Sequence, residues 1–326
     1  MNNIFRKVIF QAAIILLFSF AIEAQQLSTP RVSPQSEVMQ QIGMSKIIIN
    51  YSRPAVNGRE IWGKLVPYGL QVSQFGNGNP SPWRAGANEN TTISFSDDVK
   101  INGVSLKAGT YGLHLIVNEN EDWEFIFSND SKAWGNFFYN EKNDALRVKV
   151  KPIPSEFTEW LQYSFDDITP NSVKTNLMWD KIKVGFTCEF DAINIALKSI
   201  REQLTGLPGF NWQPWNQAAF YSLQNNVNLA EGETWIRKSI ALNENAGNLN
   251  LWGYLLMSQK KNDEALSIFK NNVEKYPDNW NVYDSLGEAY NNFGNKNESI
   301  KYYKLALDIA PENQKQRIED ILKSIK

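Results

Sequence analysis

Residues 280–313 read WNVYDSLGEAYNNFGNKNESIKYYKLALDIAPEN, and these 34 residues decide the fold of the C-terminal part of the chain. Moving back by 34 positions, Gly287 recurs as Gly253, Tyr303 as Phe269, Tyr283 as Leu249 and Pro311 as Pro277. Ser299 becomes Ala265, which is also small. A further step back gives Trp215, Ala219 and Trp235, with Asn243 at the proline position. Residues 212–245, 246–279 and 280–313 are therefore three copies of one unit, the first degenerate. Three copies in frame make the signal specific.

Each recurring position has a mechanical reason. A small residue lets the two helices of a hairpin approach each other. The large residues fill the gap between hairpins, and the proline ends the second helix. Leu286-Gly287, Tyr290, Tyr303, Ala306 and Pro311 resemble the tetratricopeptide pattern. The resemblance implies an all-α array of helical hairpins that docks a protein partner in a concave groove. Asn250, Tyr254, Asn281, Asp284 and Glu288 are the expected partner-binding residues. Residues 314–326 are expected to form a polar capping helix.

Upstream of the array the period changes. Residues 191–211 carry apolar side chains at helical spacing, then Gly206 and a stretch with two prolines, which predicts a linker helix and a turn. From residue 45 to 190 the pattern is β. Strands are predicted at 46–51, 91–100, 111–117, 123–127, 146–151, 158–165, 173–179 and 181–190. Tyr111, Leu113, Leu115 and Val117 alternate, and Asn102-Gly103 is a hairpin turn whose two positions need positive φ. Many short strands without intervening helices predict an antiparallel β-sandwich or jelly roll. The fold class is therefore multidomain: a β domain over 25–190, then the helical array over 212–326.

Residues 1–24 read as a signal peptide. Arg6 and Lys7 precede an apolar run from Val8 to Ile22, and Ile22-Glu23-Ala24 resembles a cleavage site. Cleavage near Ala24 leaves 31 basic and 34 acidic side chains, a formal charge of −3. The expected location is periplasmic or secreted, with no membrane span after cleavage. That charge gives no attraction to nucleic acid. Cys188 is the only cysteine, so no intramolecular disulfide is possible, and its strand-like surroundings predict a buried, inert thiol.

Chemistry-bearing residues gather between Tyr51 and Asn90. Arg53, Arg59 and Arg84 sit in glycine-bearing loops, and such arginines can clamp a carboxylate or phosphate. The structural alternative is that they pair with Glu60, Glu89 or Asp144 and brace the loops. His114, the only histidine, falls on the strand face opposite Leu113 and Leu115, beside Gly112, where a glycine leaves room for a ligand. The candidate ligand-binding set is Arg53, Arg59, Arg84, Asn88, Glu89 and His114, and Glu89 and His114 are the candidate acid/base groups. One His and one Cys give no metal site, and no motif asks for a cofactor. Trp62, Trp83, Trp123 and Trp134 suggest either sugar stacking or core packing, of which core is the commoner use.

Ser33-Pro34, Tyr51-Ser52-Arg53-Pro54, Gly58-Arg59-Glu60-Ile61-Trp62-Gly63, Trp83-Arg84-Ala85-Gly86-Ala87-Asn88-Glu89 and Ala108-Gly109-Thr110-Tyr111 together resemble a secreted bacterial family, domain of unknown function 2911. The resemblance spans about residues 33–152. It implies no activity, but it draws attention to Arg53, Arg59, Arg84, Asn88 and Glu89. Residues 72–81, rich in Gly, Asn and Pro, read as an insertion into that pattern. The functional expectation is an exported binding or scaffold protein, with a small polar or anionic ligand or a peptide on the β domain and a protein partner on the repeats. The alternative is a hydrolase or lyase using Glu89 or His114 with the arginines.

Overall fold

The computed structural model describes residues 29–325, so the signal-peptide reading of 1–24 lies outside the described residues. The chain divides into two compact units at Ala192/Ile193.

The first unit holds a six-stranded sheet, a four-stranded sheet and a two-stranded ribbon. The larger sheet has the order β1 (Gln35–Ile42), β2 (Ser45–Ser52), β5 (Thr92–Phe95), β8 (Gly109–Ile116), β9 (Trp123–Ser128) and β10 (Asp144–Val150). The smaller has the order β11 (Ile153–Asp166), β12 (Ser172–Phe190), β6 (Val99–Ile101) and β7 (Val104–Leu106). β3 (Gln71–Val72) and β4 (Pro80–Ser81) form the ribbon that carries the insertion. All strand pairs are antiparallel. The two larger sheets close as a sandwich: Phe125 and Phe127 of β9 meet Phe186 of β12 edge-on, at 5.0 and 5.2 Å between ring centres. Ile47, Ile49, Ile93, Leu113 and Leu115 fill one side of this core, and Leu161, Leu177, Val184 and Cys188 the other. Burial pushes the Cys188 thiol up to about 12, so it stays protonated and unreactive at neutral pH.

Besides the short β3–β4 ribbon, which was not expected, the strands differ from expectation at three places. The single strand expected at 91–100 is two strands, β5 and β6, in different sheets. Ser96, Asp97 and Asp98 break it: Ser96 Oγ accepts from the Lys46 N–H, and Asp98 Oδ1 accepts from the Ala108 N–H. The two strands expected at 173–179 and 181–190 are one, β12, because Asp180 takes a left-handed conformation (φ 53°) at a bulge and not at a turn. β1 was not expected; its QSEVMQQI sequence is that of a half-exposed edge strand with few apolar residues. The hairpin at Asn102-Gly103 has φ 46° and 85° and joins β6 to β7.

The second unit holds eight α-helices among the described residues: α1 (Ala192–Leu204), α2 (Trp212–Asn225), α3 (Leu229–Leu242), α4 (Ala246–Ser258), α5 (Asn262–Lys275), α6 (Trp280–Asn292), α7 (Lys296–Ile309) and α8 (Glu312–Ile325). Its cores are local. Ala218, Ala219, Trp235 and Ile236 pack with Leu251 and Leu255 of the next repeat, Phe269 and Ala265 with Leu286 and Ala289, and Tyr303 and Ala306 with Ile318 and Ile325. A Cβ placed on Gly253 would stand 2.5 Å from the Phe269 ring, and one on Gly287 3.1 Å from Tyr303. Each glycine therefore gives its hairpin the close approach that the aromatic ring fills. The segment expected to be a linker helix is part of this packing: Leu197 and Leu204 of α1 are buried with Ala218, Ala219 and Trp235.

Candidate functional site

Arg53 and Arg59, in the first arginine-bearing stretch of the β domain, are turned onto backbone carbonyls. Arg53 donates from Nε to the Leu161 carbonyl at 2.8 Å. Arg59 donates to the carbonyls of Val56 (3.1 Å) and Ala55 (2.5 Å), within its own turn. Neither reaches a carboxylate among the described residues, so these two arginines brace the chain through carbonyls and not through ion pairs. Asn88 takes a left-handed conformation (φ 57°) and donates to the Ser33 carbonyl at 3.0 Å. Glu89 pairs with Arg31, a residue the sequence reading did not single out. Its own backbone N–H and then Arg31 hold the Glu89 carboxyl below its usual range.

Arg84 is different. Its guanidinium donates to the Asn88 carbonyl and, at 3.0 Å, to Asn136 Oδ1, and it lies over the Phe137 ring at 4.9 Å. Gly135 makes room for it: a Cβ there would stand 2.4 Å from Nη1. No carboxylate faces it among the described residues, and burial lowers its pKa.

His114 lies on the outer face of β8, yet it is only 2% exposed because the segment between β9 and β10 folds over it. Its ring meets Tyr139 edge-on at 5.7 Å. Burial first, then the charge of Arg84, push it down to about 4, so it is neutral at physiological pH. Nδ1 is buried and has no hydrogen-bond partner among the described residues. The room expected above Gly112 is taken: a Cβ there would be 2.7 Å from Asn90 Nδ2 and 3.2 Å from His114 Nε2. Asn90 donates to the carbonyls of Asp130 (3.1 Å) and Ser131 (3.4 Å), pinning the covering segment. Tyr139 donates to Asp144 at 2.6 Å and accepts from Arg147 at 2.8 Å.

The candidate ligand set thus does not form one open site. Glu89 sits with Arg31, His114 sits beneath Tyr139 with Arg84 close enough to act on its charge, and Arg53 and Arg59 brace backbone. No hydrogen bond or ion pair joins Glu89 to His114 among the described residues. Asn90, Asn136 and Tyr139, which complete the buried cluster, carried no sequence signal beyond their polarity.

Trp62, Trp83, Trp123 and Trp179 form one aromatic cluster. Trp62 lies 4.8 Å from Trp123, 5.9 Å from Trp179 and 6.0 Å from Trp83, and Trp83 stacks on Trp179 at 5.9 Å. Trp123 and Trp179 are buried, so these rings are packing; Trp134 stands apart and is 55% exposed.

In the helical unit the expected partner-binding residues do come together, on the first helices of successive repeats. Asn250 of α4 donates to Asn281 Oδ1 of α6 at 3.3 Å. The Tyr254 hydroxyl donates to Glu288 Oε2 at 2.6 Å and lies 3.1 Å from Ser285 Oγ. Burial and then that carboxylate raise the Tyr254 pKa. Arg317 of α8 donates to Asp284 at 2.8 Å; burial nonetheless raises Asp284. The result is a polar ladder running from α4 through α6 to α8. Asn216 of α2 stands 34 positions before Asn250 and extends the frame by one repeat. The Oδ1 atoms of Asn216 and Asn250 are both buried without a partner among the described residues.

No curated protein matches the chain. Among solved structures, MamA (41-end) from Desulfovibrio magneticus RS-1 is 18% identical, with 41% of this chain and 75% of that one covered and a TM-score of 0.34. PcrH from Pseudomonas aeruginosa is 12% identical over 35% of this chain and 90% of that one, with a TM-score of 0.32. The Yersinia enterocolitica type III secretion chaperone SycD, solved in complex with a peptide of the translocator YopD, is 13% identical over the same shares, with a TM-score of 0.32. Residues 33–188 match the family described as Protein of unknown function (DUF2911), and residues 281–313 match the Tetratricopeptide repeat family.

Proposed function

We propose that the protein is an exported scaffold that docks a protein partner on the first-helix face of its repeats, while its β domain holds a small polar ligand. The observation that carries the docking reading is the polar ladder of Asn250, Asn281, Tyr254, Glu288, Asp284 and Arg317. It places side chains of both hydrogen-bonding kinds on one face across successive repeats. Such arrays stack repeats into extended binding surfaces. The apolar N-terminal segment supports export, and the mature chain is then expected to begin at Gln25.

The test is retention of partners from an envelope extract by the mature chain and by its Asn281→Ala and Glu288→Ala variants. Retention of a partner is expected to fall about tenfold or more in the variants, as for residues central to an interface, with circular dichroism verifying that each variant is folded. Equal retention of every partner by both variants would remove the ladder from the interface. Export is read separately, by N-terminal sequencing of protein recovered from the envelope fraction.

A further inference from the structure

The β domain carries a polar cup that none of the expected site residues lines. It has a volume of about 530 Å³ and is walled by Asn77 from the insertion and by Asn129, Asp130, Lys132, Phe138, Asn140 and neighbours from the segment covering His114. That volume lies within the ~300–1,000 Å³ of small-molecule sites.

The walls are held, but part of their hydrogen-bonding capacity is not used. Asn77 is committed, donating to the Tyr139 carbonyl at 3.1 Å and accepting from the Asn79 N–H at 3.0 Å. Asn143 donates to Asp130 Oδ2 at 2.7 Å, which leaves its own Oδ1 as an acceptor facing no donor among the described residues. Asn140 accepts from the Lys142 N–H at 3.1 Å, which leaves its amide N–H groups as donors. The Asn129 side chain makes no hydrogen bond among the described residues. Phe138 is 58% exposed, an apolar face at the edge of an otherwise polar cup.

The chemistry of the lining selects its ligand. Amides that offer both donors and acceptors match hydroxyl groups, which are both at once. Asp130 and Lys132 contribute one charge of each sign, so the cup has no net charge with which to draw an anion. An exposed aromatic ring offers a surface for the C–H face of a sugar ring. Resting on the reading of the β domain as a ligand holder, we infer that this cup binds a neutral polyhydroxyl ligand of the saccharide class, with Phe138 beneath the ring and Asn129, Asn140 and Asn143 on its hydroxyls. This differs from the anion clamp that the arginines suggested, since Arg53 and Arg59 are spent on backbone carbonyls and the half-buried Arg84 is spent on the Asn88 carbonyl and Asn136.

The experiment uses the full mature chain and ligand-detected NMR with three neutral probes (maltotriose, cellotriose and N,N′-diacetylchitobiose) and two anions (inorganic phosphate and citrate). Phe138→Ala and Asn129→Ala change exposed side chains, and circular dichroism verifies that each variant is folded. At least one neutral probe is expected to bind, and to bind about tenfold or more weakly to each variant. Saccharide binding that neither variant weakens would overturn the cup as the site. Binding of phosphate or citrate alone would overturn the neutral class while leaving a small-ligand role for the β domain intact. Binding of no probe would overturn the inference, and the ligand-holding reading would then be judged separately by whether a native small molecule is released from envelope-purified protein.

Discussion

At the residue scale, His114 illustrates what burial does to an imidazole. An imidazole sealed under Tyr139 and near Arg84 is neutral at pH 7 and has no exposed face to offer a substrate. Its pKa falls from 6.5 to about 4 on folding, so as the pH drops the unfolded chain takes up this proton first. Stability is therefore expected to decline as pH falls from about 6.5 to about 4 and to lose no more from this group below that, a total on the order of 3 kcal/mol. Urea unfolding of the wild type and of His114→Gln across that range measures it, the variant lacking this component. A histidine resonance titrating near 6.5 in the native state would contradict the burial argument. The sequence showed that His114 shares a strand face with Gly112. It did not show that Asn90 and a segment 15 or more residues downstream would close that face. Arg31 was missed for the same reason: its partner Glu89 lies 58 positions away, and no periodicity links them.

At the scale of elements, the helical hairpins were the most legible part of the chain and the β strands less so. Close approach at Gly253 and Gly287 follows from a 34-residue repeat that pairs glycine with an aromatic residue, and the structure shows those pairs in contact. Gly253→Ala is expected to destabilise the array by about 1–3 kcal/mol, because the methyl group would overlap a rigid ring within a packed core. Gly287→Ala, with 3.1 Å to its ring against 2.5 Å, is expected to cost less. Urea midpoints at unchanged slope report the difference. The β strands were harder to bound because alternation persists across the place where a chain leaves one sheet for another. Residues 92–101 alternate almost throughout, and only the side-chain hydrogen bonds of Ser96 and Asp98 mark the crossing from β5 to β6. At Asp180 the error ran the other way, since a left-handed residue inside a long strand resembles a turn in sequence.

At the scale of the whole molecule, each unit has its own core. The sandwich closes on Phe125, Phe127 and Phe186, and the helices close on clusters formed within and between adjacent repeats. Scanning calorimetry is expected to show two transitions. Leu113→Ala should lower one and Leu286→Ala the other, each by about 2–5 kcal/mol, as for a fully buried leucine. A single transition that both substitutions shift equally would show that the two cores unfold as one. The candidate site is legible at this scale only in part. The ladder on the repeats follows from the frame of the copies, whereas the amide-lined cup depends on Asn77 meeting residues more than 50 positions later, a closure that no local pattern encodes.

The four indoles of Trp62, Trp83, Trp123 and Trp179 come from two loops and from both sheets, with the centres of neighbouring rings between 4.8 and 6.0 Å apart. At such separations neighbouring chromophores share their electronic excitation, so the cluster behaves as one optical unit. The closed sandwich is consequently expected to add an exciton couplet of the strong indole transition to the far-ultraviolet circular dichroism, on top of the helical signal. Opening the sheets by a ring's width would weaken that couplet severalfold, giving a reporter of the β domain that needs no label.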